Sequence, residues 1–425
     1  MASTRPPCQA SPHRSVPAPP APHSAVGQHR FIISYPPFPV EHTSARCPIS
    51  RTTSKGIVSG AACGVRDDNI DFHANSGSGI SSIVAGNIAF ARGPMTTQTH
   101  LRCEVARFQA PILRRSLWQI ATSFGGFFAV CAAMYALINV SYWLMLLLSP
   151  VAAGFLVRIF IIQHDCGHRS FFRARYANDL AGVACSMLTL TPYSSWRRQH
   201  AGHHGIWNNL DRRESGADIY STCLTVAEYR AMTPKKRWIY RTTRHPLIAN
   251  ILLPPLIFMI LYRVPFDMPK SWRRERRQVH LTNLALAATF AVLGLILGYG
   301  QVAAVHLPVL AFASIAGVWL FSVQHRAENI LWARHEAWDS TSAALQGATY
   351  LRLPTILQWF TGNIGFHHVH HLNPRVPNYR LQECHERIAA LCDVPILSLR
   401  DCVRALGFVF WDEDRGRMTT SPSGP

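Results

Sequence analysis

Residues 142–168 read YWLMLLLSPVAAGFLVRIFIIQHDCGH. The 21 residues from Tyr142 to Ile162 are almost all apolar, and about 20 such residues are enough to cross the roughly 30 Å hydrocarbon layer of a bilayer as a helix. His164 and His168 follow at once, four positions apart, so a continuing helix places both on one face. The stretch therefore predicts a membrane helix that ends in a pair of imidazoles at the membrane surface.

Three further apolar runs are long enough to cross a bilayer: residues 117–138, 281–297 and 302–323. Residues 139–141 join the first run to the run that begins at Tyr142, and residues 298–301 join the last two runs. Connections this short predict two antiparallel helical hairpins.

Two weaker apolar stretches, residues 180–190 and 247–262, are short for a full span. If residues 247–262 crossed alone, the basic loop 270–277 would lie on the outer face, and the later histidines would face away from the earlier ones. Positive charge favours the cytoplasmic side. We therefore expect an all-α integral membrane protein with four transmembrane helices in two hairpins, interfacial helices and a cytoplasmic histidine-rich cap. Residues 180–190 and 247–262 are expected to lie in the interface or to dip into the membrane and return.

The chain has 425 residues and a formal net charge of +19. Its Lys and Arg residues lie between the apolar runs, as the positive-inside rule predicts, and not on a soluble basic surface that would bind nucleic acid. We therefore predict that these positive charges contact the anionic headgroups of the lipid bilayer. We predict no binding of nucleic acid.

The division of the chain follows its composition. Residues 1–100 contain no Trp and one Lys, and 11 of the 28 prolines fall in the first 50 positions. Such a segment cannot bury a core. We interpret it as a disordered or mis-assigned N-terminal extension, with a transit peptide and a start at Met95 as alternatives. Residues 110–400 are the expected functional domain, and residues 401–425 a C-terminal tail.

Histidine recurs in three clusters, His164-x-x-x-His168, His200-x-x-His203-His204 and His367-x-x-His370-His371. In the two triplets, two residues share a helix face while their neighbour is offset enough to reach a second ion. The clusters predict a site for two metal ions. Cys166 is an alternative ligand that we interpret as a packing residue, because thiolate suits zinc or iron–sulfur sites.

These stretches resemble the membrane fatty acid desaturase family over about residues 110–400. The resemblance rests on HDCGHRSFF at 164–172, WRRQHAGHH at 196–204 with NLDRR at 209–213, and GNIGFHHVHHLNPRVPNY at 362–379. The last stretch is most similar to bacterial omega-6, or delta-12, acyl-lipid desaturases. Membership implies a di-iron centre of two non-haem iron ions, O2 as co-substrate, and formation of a cis double bond in an acyl chain.

Chemistry independently favours iron. A methylene C–H bond is neither acidic nor polarised, so its removal requires an oxygen-activating metal, and iron combines imidazole ligation with redox cycling. Structural zinc needs only four ligands. Soluble di-iron bundles use Glu-x-x-His carboxylate sites, which do not recur here.

A ninth ligand is expected at His325, in a Gln324-His-Arg-Ala-Glu328 motif similar to one in the resembling bacterial enzymes. His368 is out of phase with its triplet, so we expect it beside the site and not as a ligand, and we interpret His335 and His385 as ordinary residues. Asn363 is a candidate to hold a metal-bound water. Carboxylates that could orient ligand imidazoles or form plain salt bridges are Asp165, Asp211, Glu214, Asp218, Glu328 and Glu336.

The chain has no flavin, nicotinamide or cytochrome b motif, so an external electron donor, a ferredoxin or a b-type cytochrome, is implied. The expected substrate is a fatty acyl lipid or acyl thioester, and the expected location is the bacterial inner membrane with the metal site on the cytoplasmic side. The alternative function is a hydroxylase or ketolase on the same scaffold. A metal transporter would require polar residues within the spans, which are nearly free of them.

Overall fold

The computed structural model describes residues 97–213, 220 and 222–422. This part is mostly α-helical and carries two small sheets. The helices that precede and include the third apolar span are α1 (Thr97–Ala106), α2 (Leu113–Leu137), α3 (Tyr142–Gly167), α4 (Arg175–Thr189), α5 (Tyr193–Ile206), α6 (Val226–Ala231), α7 (Pro234–Thr243), α8 (Leu253–Met259) and α9 (Arg273–Leu297). The later helices are α10 (Tyr299–Val323), α11 (Ser340–Gln346), α12 (Thr355–Phe360), α13 (His367–Leu372), α14 (Asn378–Arg387) and α15 (Leu399–Ala405). The strands are β1 (Leu224–Thr225), β2 (Tyr350–Leu351), β3 (Ile396–Leu397), β4 (Phe410–Asp412) and β5 (Arg417–Thr419).

Four helices in the described residues are long and apolar enough to cross a membrane, namely α2, α3, α9 and α10. They coincide with the four predicted spans. Helix α3 packs against both α2 and α10, and α10 packs against α9, so the two hairpins form one bundle. Large apolar side chains such as Leu147 and Leu295, 72% and 77% exposed, face outward, where lipid would cover them. The predicted all-α membrane fold is confirmed.

Helix α7 and the apolar segment 248–263 form a bent pair that would count as a fifth span by length and composition, with a bend of 54°. Contacts between α5, which precedes the bent pair, and α9, which follows it, show whether the pair crosses the membrane. The backbone N–H of Ser194 at the start of α5 donates to Gln278 Oε1 of α9 at 2.6 Å, and Arg198 pairs with Glu275 at 3.2 Å. Because a single crossing between α5 and α9 would put these residues at opposite ends of the bundle, the bent pair enters and returns at one end.

Helix α4 lies across the end of α3, as expected for an interfacial helix. Thr189 at its C-terminal end donates its hydroxyl to Gln163 Oε1 at 2.7 Å, and Tyr193, four residues later, donates to the Cys166 carbonyl at 2.8 Å. Its outer face exposes Tyr176 and Leu180. The predicted interfacial position of residues 180–190 agrees with this arrangement.

The first described helix begins at Thr97, within the segment assigned to the N-terminal extension. The extension assigned to residues 1–100 lies outside the described residues up to residue 96, but residues 97–100 form the first turn of α1. Leu101 and Val105 of this helix belong to the same buried cluster as Val369 of α13. The folded unit therefore begins before residue 110.

Residues 401–422, which belong to the segment assigned to a C-terminal tail, contact the rest of the described chain. Strand β4 pairs in parallel with β1, with Phe410 opposite Leu224, and antiparallel with β5. Trp411 and Met418 are 4% and 2% exposed. The backbone N–H of Met418 donates to the Glu328 carbonyl at 2.8 Å. Residues 401–422 are thus packed onto the rest of the described chain.

Candidate metal centre

Four chain segments meet at one end of the helix bundle and carry the predicted histidines. The last turn of α3 contributes His164, with His168 as its C-cap residue. Helix α5 contributes the second cluster and α13 the third. His325 follows the end of α10 by two residues. Because α3 and α10 both end here, both hairpins deliver their histidines to the same end of the bundle.

The first group of histidines contains five members whose candidate ligand nitrogens all lie within 4.8 Å of one another. His204 Nε2 lies 3.2 Å from His200 Nε2 and 2.9 Å from His370 Nε2. The group therefore joins α3, α5 and α13, and its members are His164, His168, His200, His204 and His370.

The second group contains His203, His325 and His371, again within 4.8 Å of one another. His203 Nε2 lies 3.4 Å from His371 Nε2. His367 joins them, because its Nε2 lies 3.0 Å from His325 Nε2 and 3.1 Å from His371 Nε2. The structure thus brings all nine predicted residues together, five in one group and four in the other.

The spacing of these nitrogens fits metal ions. Two imidazole nitrogens about 2.1 Å from one ion, at angles between about 90° and 109°, lie about 3.0–3.4 Å apart. The Nε2 atoms described above approach one another at 2.9–3.4 Å. Each group offers imidazole nitrogens alone, without a thiolate or carboxylate from the described residues. The donor set suits borderline transition metals and not calcium or magnesium, which prefer oxygen.

The charge state of the histidines also favours metal binding, since only a neutral imidazole offers a lone pair. Loss of hydration on burial, followed by the neighbouring imidazoles, lowers the pKa of six of them well below the usual value. These six are His200, His204, His325, His367, His370 and His371.

Comparison with known proteins agrees with this geometry. Residues 141–400 match the family pattern described as fatty acid desaturase. The chain belongs to the fatty acid desaturase family. It is therefore an enzyme, an oxidoreductase.

This desaturase is similar to one relative at more than 40% identity and to more distant relatives at less than 30% identity. A protein of Bacillus subtilis named fatty acid desaturase is 43% identical over 323 residues, which cover 76% of this chain and 90% of the relative. A Picosynechococcus protein named sn-1 oleoyl-lipid 12-desaturase is 28% identical and covers 61% of this chain and 74% of the relative. The chloroplastic omega-6 fatty acid desaturase of Arabidopsis thaliana is 25% identical, with 58% and 54% covered. The more distant relatives are thus named for the delta-12, or omega-6, position.

Two tryptophans of this desaturase lie against the histidines and were not predicted. Trp196 stacks on His200, with ring centroids 4.8 Å apart and planes inclined by 15°. The Trp207 ring centroid lies 3.6 Å from that of His325, and its indole N–H donates to the Gly347 carbonyl at 2.9 Å. Each tryptophan is four residues from a site histidine of α5, a spacing that signals a shared helix face.

Among the proposed orienting carboxylates within the described residues, Asp165 alone lies against a histidine of the two groups. Its Oδ1 lies 3.3 Å from His164 Nδ1. Its Oδ2 accepts the backbone and side-chain N–H groups of Asn378 at 2.7 and 2.8 Å. Asn378 Oδ1 in turn accepts from Gln119 of α2 at 3.1 Å. This buried network ties the membrane bundle to the His164 imidazole, and Asn378 was not predicted.

The other carboxylates lie elsewhere or outside the described residues. Asp211 pairs with Arg334 at 2.7 Å and Glu328 with Arg417 at 2.9 Å, as plain salt bridges. Glu336 is exposed. Glu214 and Asp218 lie outside the described residues.

The remaining candidates lie beside the centre. His368 is excluded from both groups, as expected, and its Nε2 lies 3.1 Å from His385 Nδ1. Cys166 packs in the apolar core. Asn363 uses its amide in hydrogen bonds with Gln358 and the Asn378 carbonyl, so nothing here assigns it a water.

Proposed function

We propose that this desaturase uses two non-haem iron ions and O2 to introduce a cis double bond into a membrane-associated acyl chain, at the delta-12, or omega-6, position. The observation that carries the proposal is the convergence of nine imidazoles in two groups at the end of an apolar helix bundle. When bound, iron supplies the activation of O2 that removal of hydrogen from an unactivated methylene pair requires. Overall, two hydrogens of the chain, two external electrons and two protons convert O2 to two waters.

The histidines perform the first task, which is to hold two cations without adding negative charge. His164, His168, His200, His204 and His370 form one proposed ligand set, and His203, His325, His367 and His371 the other. The lowered pKa values of the six histidines given above keep those imidazoles neutral at physiological pH. Asp165 holds the His164 ring through Nδ1, which leaves Nε2 for the ion.

Exclusion of bulk water is the second task. His164, His203, His325, His367 and His370 are each at most 4% exposed. Trp196 and Trp207 cover His200 and His325. A dry site suits chemistry that must not release reactive oxygen to solvent.

The membrane bundle supports an acyl substrate. The site lies where α3 and α10 end, so a chain embedded in the bilayer reaches it without leaving an apolar environment. The relatives named 12-desaturases and omega-6 desaturases support the regiochemistry. The substrate is then a fatty acyl lipid or an acyl thioester.

The electrons must come from a ferredoxin or a b-type cytochrome, since the chain has no motif for an organic redox cofactor. We place the protein in the bacterial inner membrane with the histidines on the cytoplasmic side. Lys270, Arg273, Arg274 and Arg277 support this orientation, because they lie beside the α9 end that contacts α5.

The test is expression in a host that lacks polyunsaturated lipids, with double-bond positions determined by gas chromatography and mass spectrometry. We expect a new delta-12 double bond from the wild type and none from His203→Ala. His280→Ala, an exposed histidine on α9, is the matched control and should retain activity. A hydroxylated lipid without a new double bond would establish the hydroxylase alternative and overturn the proposal.

A further inference from the structure

A groove of about 570 Å³ lies on helix α7 where the bent pair turns toward the bundle. Its polar wall is formed by Arg237 and Arg241, which are one turn apart on α7 and therefore share a helix face, and by His245, which lies two residues beyond the end of the helix. Trp238 and Ile248 supply apolar walls. The groove is thus cationic along one side and apolar at one end.

The cations of this groove have no acidic partner among the described residues. None of the described residues that line it is Asp or Glu. Arg241 and His245 are at least partly exposed, and neither forms an ion pair within the described part of the chain. Arg237 is half-buried, and its Nε–H donates to the Met232 carbonyl at 2.9 Å. This bond fixes the guanidinium and leaves its terminal nitrogens available to an anion.

The position of the groove relative to lipid follows from the residues beyond it. Leu247, Ile251 and Leu252 are 58%, 45% and 64% exposed, so the chain enters an apolar environment directly after His245. Trp238 is 68% exposed, and exposed tryptophan beside arginine is typical of the membrane–water interface. The groove therefore lies at the level where lipid phosphates are found.

We propose that this groove binds the phosphate group of a glycerophospholipid. Arg237 and Arg241 hold the phosphate through charge-assisted hydrogen bonds, with His245 at the end of the polar wall nearest the hydrocarbon. Trp238 packs beside the headgroup, and an acyl chain of the same lipid lies along Leu247 and Ile251. A phospholipid contacts both the cationic wall and the apolar walls of the groove, whereas inorganic phosphate contacts only the cationic wall.

The experiment measures lipid retention by the full chain. Protein purified in detergent is incubated with phosphatidylglycerol, and the bound lipid is counted by native mass spectrometry. We expect Arg241→Gln to weaken retention roughly fivefold, and Arg237→Gln/Arg241→Gln further by a similar factor. Lys235→Gln/Lys236→Gln is the matched control, because it makes the same charge change at two exposed residues of α7 that do not line the groove.

Each result of the retention experiment either supports or overturns the proposed lipid site. Loss of lipid in the arginine variants with retention in the lysine control supports the site. Equal retention in all variants, or equal loss in both pairs, overturns it. Displacement of the lipid by an equal concentration of inorganic phosphate would show a soluble phosphate as the ligand and would also overturn it. Retention needs neither iron nor turnover, so this result is independent of the double-bond assay.

Discussion

His325 Nε2 lies 3.0 Å from His367 Nε2, although 42 residues separate them in the chain. The contact joins the end of α10 to the start of α13. We expect His325→Ala to lose the ion of the second group while the first group keeps its own, so iron content falls from about two to about one per chain. Activity should fall by more than about 100-fold, since even residues behind metal ligands change activity by 10–100-fold.

Iron analysis and product assays on membranes with matched protein amounts check this prediction. His280→Ala should resemble the wild type, because His280 is an exposed residue of α9. Two irons per chain in His325→Ala would exclude His325 as a ligand.

Asp165→Asn should weaken iron binding by about 10–100-fold through a poorly held His164. The substitution removes the negative charge that faces His164 Nδ1 and accepts from Asn378. Iron titration of the metal-free protein measures the change. Asp211→Asn removes a carboxylate of a partly exposed salt bridge with Arg334, worth at most about 1 kcal/mol, and should leave the affinity unchanged. A similar iron affinity for the wild type, Asp165→Asn and Asp211→Asn would show that Asp165 does not position His164.

Acid should destabilise the metal-free protein. Burial, followed by neighbouring imidazoles, lowers the pKa of His325, His367 and His370 well below 6.5. Below pH 6.5 the unfolded chain therefore binds protons that the folded chain does not, so the free energy of unfolding falls as the pH falls. The slope is at most about 1.4 kcal/mol per pH unit for each histidine.

Thermal unfolding in detergent between pH 8 and pH 5 measures this effect. The Tm should be nearly constant above pH 7 and should decrease below it, and iron-loaded protein should release its metal over the acidic range. A Tm that rises toward pH 5 would contradict the assignment of neutral buried imidazoles.

Gly365→Ala should destabilise the approach to α13. A Cβ at Gly365 would lie 2.4 Å from the Leu351 carbonyl oxygen, and the Gly365 carbonyl accepts the Leu351 N–H at 2.8 Å. The backbone must shift two residues before His367, at a cost of about 1–3 kcal/mol. Tm and iron content should both fall.

Gly205→Ala is the matched control for this substitution. Gly205 follows His204 in α5, and a Cβ added there would have no atom within 4 Å, so alanine should be neutral or stabilise the helix by up to about 1 kcal/mol. A larger loss from Gly205→Ala than from Gly365→Ala would show that the packing argument is wrong.

Trp411→Ala tests the role of the C-terminal strands. Trp411 is 4% exposed and packs in a cluster with Ile330 and Trp332, so truncation should cost about 3–5 kcal/mol. Val403→Ala, at a side chain 73% exposed, should change stability by less than about 0.5 kcal/mol. The Tm of each variant gives the comparison, and equal Tm values for the two variants would mean that the packing of residues 410–419 does not stabilise the protein.

Sequence reasoning succeeded where a signal is local. The four spans follow from apolar length, and the triplets give the offset that separates His203 from His200 and His204. It failed where the signal is long-range. Strand β4 is recognisable only through its partner at Leu224, and no spacing rule indicates that Asn378 reaches Asp165.

Trp196 and Trp207 have a local signal in the sequence, but that signal was not sufficient to predict their contacts. Their helical spacing from His200 and His203 was visible, but the same spacing is common among plain packing residues. Only the ring contacts with His200 and His325 separate the two interpretations. The strands β4 and β5 were not predicted for a different reason, because strands of three residues are too short to show periodicity.

His203 and His204 are consecutive residues, yet they belong to different groups, and the same holds for His370 and His371. Single peptide units in α5 and α13 therefore help to set the interval between the two proposed ions, together with the packing of α3 and the end of α10 against them. A substitution that tilts α5 or α13 should therefore move both proposed ions together, because each of these helices contributes to both groups. A new double-bond position should then require changes in the walls that guide the acyl chain, because a change in α5 or α13 would disturb both groups of histidines at once.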